Sequence, residues 1–339
     1  MTSLPPNFAH LGRMTDELAT FEHADYTTPR REHGYCTDDM ARVLVVACRE
    51  PEPSQSVIEL ARKALRFVGE AQGPAGDCLN RRDCQGQWLG HYSVEDCWGR
   101  SLWGLGTAAA QGPDEAVREI ALTHFERGAR QRSPWTRAMA FAALGAHEVL
   151  GACPGNRAAL DLLGAAAEVV SHAASGGSSW PWPEPRLRYA NAVLPDSLMA
   201  AGEALGRQDL IEEGAALLSW LLDQETNDGH LSVTPVGGRG PGGPRPAFDQ
   251  QPIEVAALAD ACARAAGLMP GDRWANGVDS AVAWFTGEND AGALMWDPAT
   301  GGGYDGLRAD GPNLNQGAES TLALISTLQH GRRLARSLH

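Results

Sequence analysis

Thr37-Asp38-Asp39-Met40-Ala41-Arg42 runs directly into the apolar stretch Val43–Cys48. Acids suit the first turn of a helix, where backbone N–H groups lack partners. The small and apolar residues behind them suit a helix packed closely on several sides. The same character returns five times, at Val94–Arg100, Pro134–Ala138, Asn191–Ser197, Asp249–Glu254 and Asn315–Glu319, with starts about 40–65 residues apart. Each continues as an Ala/Gly/Leu-rich run such as Leu198–Leu205.

Six other helical patterns alternate with these, at roughly 7–19, 54–72, 113–130, 156–174, 207–224 and 271–286. They are more amphipathic. Ser56–Gln72 places Ile58, Leu65 and Val68 inward and Glu59, Arg62, Lys63 and Arg66 outward. Alternating amphipathic and apolar helices fit two concentric rings. Neither an alternating strand pattern of any length nor a G-x-x-x-x-G-K-[ST] phosphate loop occurs. The expected fold is therefore all-α: six helical hairpins forming an (α/α)6 toroid, one domain over residues 1–339.

Loop lengths point to a working face. Inner-to-outer connections are short: Glu50–Pro53, Gln111–Gly112, Gly151–Gly155 and Leu268–Pro270. Outer-to-inner connections are long: 20–36, 73–94, 175–190, 225–250 and 287–312. Loops above about 12–15 residues in a compact domain are usually functional or disordered. All five fall on the face holding the inner-helix N-termini, so a cleft is expected there. Val236–Pro246, rich in Gly and Pro, reads as a mobile part of it.

Composition narrows the partners. The 339 residues carry 28 Lys+Arg against 42 Asp+Glu, a net charge of -14. Nucleic acid and anionic membrane are disfavoured, because both need a basic surface. With 43% hydrophobic residues, wholesale disorder is excluded. No apolar run approaches a membrane span, and the N-terminus lacks a basic segment followed by an apolar one, so a cytoplasmic protein is expected. The seven cysteines are then expected to be reduced thiols. Cys48, Cys153 and Cys262 read as packing residues, while Cys36, Cys78, Cys84 and Cys97 lie in or near loops.

The notable chemistry sits at the inner-helix starts. The acids are Asp38, Asp39, Glu95, Asp96, Asp196, Asp249, Glu254 and Glu319. Each alone would serve as a helix cap. Helix starts that converge on a toroid axis crowd such acids together, and crowded carboxylates raise one another's pKa. The 10 Trp stand out against an aromatic content of 6%. Trp88, Trp180, Trp182 and Trp296 lie in the long loops and Trp98 in a first turn, where flat rings could stack on a sugar. Trp103, Trp220, Trp274 and Trp284 have core spacing. The amides Asn191, Gln250, Gln251, Asn313, Asn315 and Gln316 add hydroxyl-binding capacity. Arg42, Arg100, Arg137, Arg186, Arg188 and Tyr189 could pair with the acids or bind an anionic group. His33, His91 and His230 precede inner helices, whereas His10, His124, His147 and His172 read as structural.

At these residues the chain resembles the six-hairpin glycosidase superfamily of (α/α)6 toroids. More narrowly it resembles bacterial proteins loosely labelled as glycosyltransferases or glycosidases. The matching stretches are His33–Arg42, Phe248–Glu254, and Asp305-Gly306-Leu307 with Asn313–Ser320, within a likeness running from about residue 10 to 330. The resemblance implies carbohydrate chemistry and, since such toroids commonly invert configuration, an acid and a base carboxylate flanking a glycosidic bond. No nucleotide-sugar-binding α/β domain accompanies it.

The leading expectation is a glycoside hydrolase acting on a short oligosaccharide. Its catalytic pair is drawn from Asp39, Asp96, Asp249 and Glu319, with no metal or other cofactor. Asp38, Glu95, Asp196 and Glu254 would tune the pair or bind hydroxyls. Three rival readings are a sugar epimerase or isomerase using His33, His91 or His230, a zinc-dependent cyclase type using Cys36, Cys97 and a His, and a non-catalytic sugar-binding toroid.

Overall fold

The computed structural model describes residues 4–173 and 180–337. Its inner helices are α2 (Thr37–Cys48), α4 (Asp96–Gln111), α6 (Thr136–Ala152), α8 (Val193–Leu205), α10 (Pro252–Leu268) and α12 (Ala318–Ser337). Its outer helices are α1 (Ala9–Arg13), α3 (Gln55–Ala71), α5 (Glu115–Gly128), α7 (Arg157–Ala173), α9 (Gln208–Gln224) and α11 (Asp272–Phe285). Each inner helix packs on the next, and α12 packs back on α2, so the inner ring closes. From α2 to α10 each inner helix also packs on the outer helix that follows it, and α12 packs on α1. The fold is the (α/α)6 toroid.

The two rings differ as their sequences require. Val43, Leu44, Val45 and Val46 of α2 are all buried, as a helix enclosed on every side demands. Outer α3 buries a single stripe, Val57, Leu60, Ala61, Ala64, Leu65 and Val68. Ile58, expected inward, is only half-buried, because the stripe centres on its neighbours.

Small residues set the tightest seam. A Cβ on Gly99 of α4 would lie 2.2 Å from the Ala138 carbonyl oxygen of α6, and one on Gly106 would lie 2.1 Å from that of Gly145. Both contacts have the same sequence offset and order, so α4 and α6 run parallel in fixed register.

Some elements depart from expectation. The first outer helix spans only Ala9–Arg13, not 7–19. The Asp16 carboxylate accepts the N–H groups of Leu18 and Ala19, and this turn competes with continued helix. The loops carry ribbons of two or three residues: Tyr35–Cys36 pairs with Arg81–Arg82, which pairs with Trp88–Leu89. Val236–Pro246 is anchored, since Arg239 exchanges two backbone hydrogen bonds with Leu187. The expected loop 175–190 lies partly outside the described residues. Cys153, expected to pack, is exposed at the end of α6. Among the described residues no helix is long and apolar enough to cross a membrane.

A buried ionic network occupies the end of the inner ring opposite the long loops. The Asp260 carboxylate accepts from Arg49 at 2.7 Å and bonds His330 at 2.6 Å. Glu148, Arg264 and Asp196 line the same region. Burial pushes the Asp260 carboxyl up, but Arg49 and His330 outweigh it and hold it well below the usual carboxylate range.

Candidate active site

Four of the six inner-helix starts, those of α2, α4, α10 and α12, converge on a cavity of about 430 Å³, and those of α6 and α8 do not line it. Asp38, Asp39 and Arg42 of α2 reach it, with Asp96 and Arg100 of α4, Asp249 and Gln251 ahead of α10, Asn313 in the loop before α12, and Glu319 in the first turn of α12. Sequence reasoning missed Glu22 and His23, and named Asp305 and Ser320 only within stretches of family resemblance without a role; all four line the cavity. Asp305 and His23 lie mid-loop, away from any helix start. Asp305 is fixed there by accepting the Gly317 N–H at 2.8 Å and the Ser320 hydroxyl at 2.5 Å.

The acids are not spent on capping. Cys36 Sγ, not Asp38 or Asp39, accepts the N–H at the start of α2. Neither Glu95 nor Gln251 makes a side-chain cap at its helix. The carboxylates of Asp38, Asp39, Asp96 and Glu319 instead surround two buried guanidinium groups. Arg42 donates to Asp39 at 2.6 Å and forms an ion pair with Glu319 at 2.8 Å. Arg100 stands 3.5 Å from Asp38 and 3.8 Å from Asp96, with its guanidinium 4.3 Å from the Phe141 ring centre.

The cavity acids differ in environment. Asp39 is 2% exposed, and burial lifts its pKa to about 6 against the opposing pull of Arg42. One of its oxygens takes Arg42 and the other the Cys36 thiol. Asp249 has a buried Oδ1 with no hydrogen-bond partner, and Arg308 approaches its other oxygen only to 3.8 Å. Burial raises the Asp249 pKa, Arg308 opposes this, and Asp305 adds to it. The opposing wall is tight, because a Cβ on Gly306 would sit 2.3 Å from Asp249 Oδ1. Glu319 is the open member, with its side chain 42% exposed.

Other expected site residues lie elsewhere. Trp98 is fully buried, with its indole N–H on the Gly128 carbonyl. Trp182 is buried and stacked on Trp220, and Trp180 meets the same ring edge-on. Trp88 packs on Phe67 and Arg82, and Trp296 is half-buried against the core. These rings anchor loops. Asn191, Gln250, Glu254 and Gln316 are buried and hold loop backbones or one another. Glu254, for example, accepts the N–H groups of Ala190 and Asn191, with burial and Glu225 raising its pKa. Asp196 lies deeper in the ring, paired with Arg264. Arg188 and Glu95 are exposed outside the cavity lining, and Asn315 holds the Tyr26 N–H. Tyr189 does reach the site, its hydroxyl donating to Asp96 at 2.5 Å.

The histidines separate similarly. His33 Nδ1 lies 3.1 Å from Nδ1 of His23, which lines the cavity. Burial and then His33 lower the His23 pKa. His91 is exposed outside the lining, and His230 bonds Asp290. The cyclase-type metal set does not assemble, because the Cys97 thiol faces Cys78 Sγ at 3.5 Å, not Cys36. Ligand atoms of Glu22, Cys36 and Asp39 do lie within 4.8 Å of one another. Each is already engaged, by Arg81, Asp39 and Arg42 respectively, and burial pushes the Cys36 thiol pKa well up, against the thiolate a metal needs.

No family model matches the sequence, and no curated protein matches it. Solved structures do. A sugar epimerase from a ruminal bacterium aligns with a TM-score of 0.71 at 12% identity, covering 95% of each chain. The cellobiose 2-epimerase of Spirochaeta thermophila aligns with a TM-score of 0.71 at 10% identity, covering 97% of this chain and 94% of its own. A cellulase of C. cellulolyticum in complex with cellobiose gives 0.65 at 8% identity, covering 93% of this chain and 87% of its own. At these identities the likeness is one of fold.

Proposed function

We propose that this protein is a carbohydrate-active enzyme that hydrolyses a glycosidic bond with paired carboxylates. The observation that carries the reading is the convergence of Asp38, Asp39, Asp96, Asp249, Asp305 and Glu319 on one cavity. Asp249, with its raised pKa and unpartnered oxygen, is the general acid. It gives its proton to the glycosidic oxygen as the bond to the anomeric carbon breaks. Glu319, open to the cavity and oriented by Arg42, takes a proton from the attacking water. Asp39 positions Arg42. Asp38, Asp96 and Asp305 bind sugar hydroxyls. Solved structures with this fold include a cellobiose 2-epimerase and a cellulase in complex with cellobiose, which supports the carbohydrate class. The test is an oligosaccharide panel followed by proton NMR: sugar released with inverted anomeric configuration supports the reading, and no release from any member overturns it.

A second reading rests on the His23–His33 pair. A cavity imidazole whose pKa is lowered stays neutral near pH 7 and can take a proton from carbon 2 of a reducing sugar. Solvent deuterium appearing at carbon 2 without hydrolysis would select this epimerase or isomerase reading. The likeness to two epimerases favours keeping it.

A further inference from the structure

Arg100 differs from the other buried arginines. Among the described residues Arg42, Arg49, Arg137 and Arg239 are buried, and each guanidinium donates at least one hydrogen bond. Arg100 is 4% exposed, yet its guanidinium makes none among the described residues. Its Nε has no partner, and the nearest carboxylate oxygens stand 3.5 and 3.8 Å away. A buried guanidinium with its bonds unmade is costly until an acceptor arrives.

The cause lies in its neighbours. Asp38 is held by Asn80 Nδ2 at 2.9 Å and Asp96 by the Tyr189 hydroxyl at 2.5 Å, so both carboxylates stop short of Arg100. The Phe141 ring, 4.3 Å from the guanidinium, supports it. Arg100, Asp38 and Asp96 all line the cavity, so a donor group and two acceptor groups stand together in its wall.

The surrounding charge decides which acceptor fits. Seven carboxyl side chains line the cavity against two guanidinium groups. A ligand carboxylate would gain Arg100 but meet the surplus of like charge, with Asp38 and Asp96 nearest. A hydroxyl meets no such repulsion. Its oxygen accepts from the guanidinium, and its own O–H donates to the carboxylate alongside.

We propose that Arg100, flanked by Asp38 and Asp96, is a specificity-determining receptor for a sugar hydroxyl, which makes the substrate a neutral sugar and excludes sugar acids. The inference rests on the carbohydrate reading above and deepens it by fixing the charge class of the substrate.

Calorimetric titration tests this with methyl glycosides of cellobiose and mannobiose, their monodeoxy analogues, and counterparts whose terminal sugar is a uronic acid. The protein is Asp249→Asn, so that the glycosides stay intact, with and without Arg100→Lys. Loss of one particular hydroxyl should lower affinity about ten- to hundredfold with Arg100 in place and change it little in Arg100→Lys. Mere support of the fold by Arg100 would not produce that coupling. The uronic acid counterparts should bind about tenfold or more weakly than the neutral glycosides. No deoxy penalty that Arg100→Lys abolishes, or sugar acids binding as tightly as neutral sugars, overturns the assignment while leaving the carbohydrate reading standing. If Arg100→Lys does not fold, the comparison of acidic and neutral ligands on the Arg100 protein decides alone. Failure of every glycoside to bind overturns both.

Discussion

Asp39 and Asp249 are both acids beside an inner-helix start, and their surroundings give them opposite uses. Asp39 spends both oxygens on Arg42 and Cys36, so it holds a partner in place. Asp249 leaves an oxygen unpartnered in a half-buried position, which favours the protonated form. Asp249→Asn should lower turnover by about 10²- to 10⁴-fold with KM nearly unchanged, measured by steady-state kinetics. In the unsubstituted protein, turnover should fall as pH rises through the raised Asp249 pKa, because the acid then lacks its proton. Loss of that alkaline limb at higher pH in a pH–rate profile would remove Asp249 from the role. Asp39 carries a separate signature in stability. Its folded pKa of about 6 lies above the unfolded value near 4, so its contribution is present below about pH 4 and is lost as pH rises to about 6. Urea titrations at pH 4 and pH 6 should show that drop, and Asp39→Asn should flatten it.

The same contrast explains what the sequence revealed at this scale. First-turn acids such as Asp38, Asp39, Asp96 and Glu319 were legible because helix geometry places that turn at the converging ends. Asp305 and His23 were not, since their approach depends on hydrogen bonds between distant loops. Trp residues misled for a related reason. An indole in a loop can face a sugar or pin the loop to the core, and Trp182 on Trp220 does the second. Spacing cannot distinguish these when the packing partner comes from a different helix.

At the scale of elements, the inner helices were readable from their small residues and the outer ones from their stripes. The first outer helix was overestimated because Asp16 bonds its own neighbours after Met14. The α4–α6 seam was invisible, since Gly99 and Gly106 look like ordinary helix-weakening glycines until the partner backbone is placed. Gly106→Ala should therefore destabilise the protein despite Ala's better helix propensity. Backbone must move to admit the methyl group, at a cost of about 1–3 kcal/mol, readable as a lower urea midpoint. A neutral or stabilising result would mean that the seam is looser than these distances state.

For the whole molecule, the closing of α12 onto α2 makes the ring a continuous wall. The acidic excess gathers partly at one end of it, around Arg42 and Arg100. The other end is held by Arg49, Asp260 and His330. Asp260→Asn should cost about 3–5 kcal/mol, because Arg49 loses its close anionic partner in a buried setting. The contribution from Asp260 should also disappear as pH falls below about 4, toward its depressed folded value, and thermal melts across that range would follow it. An Asp260→Asn protein as stable as the parent would show the network to be dispensable.

Between the two ends, the axial space is lined by side chains such as Val46, Phe141, Leu144 and Leu322 and amounts to only about 50 Å³. That is room for water, not for a pyranose. Traffic through the ring is therefore ruled out, and whatever enters at the acidic end must leave by the same opening. A chain cannot thread the ring, so every group that a ligand presents to Arg42, Arg100 and their carboxylates must arrive from the acidic face alone.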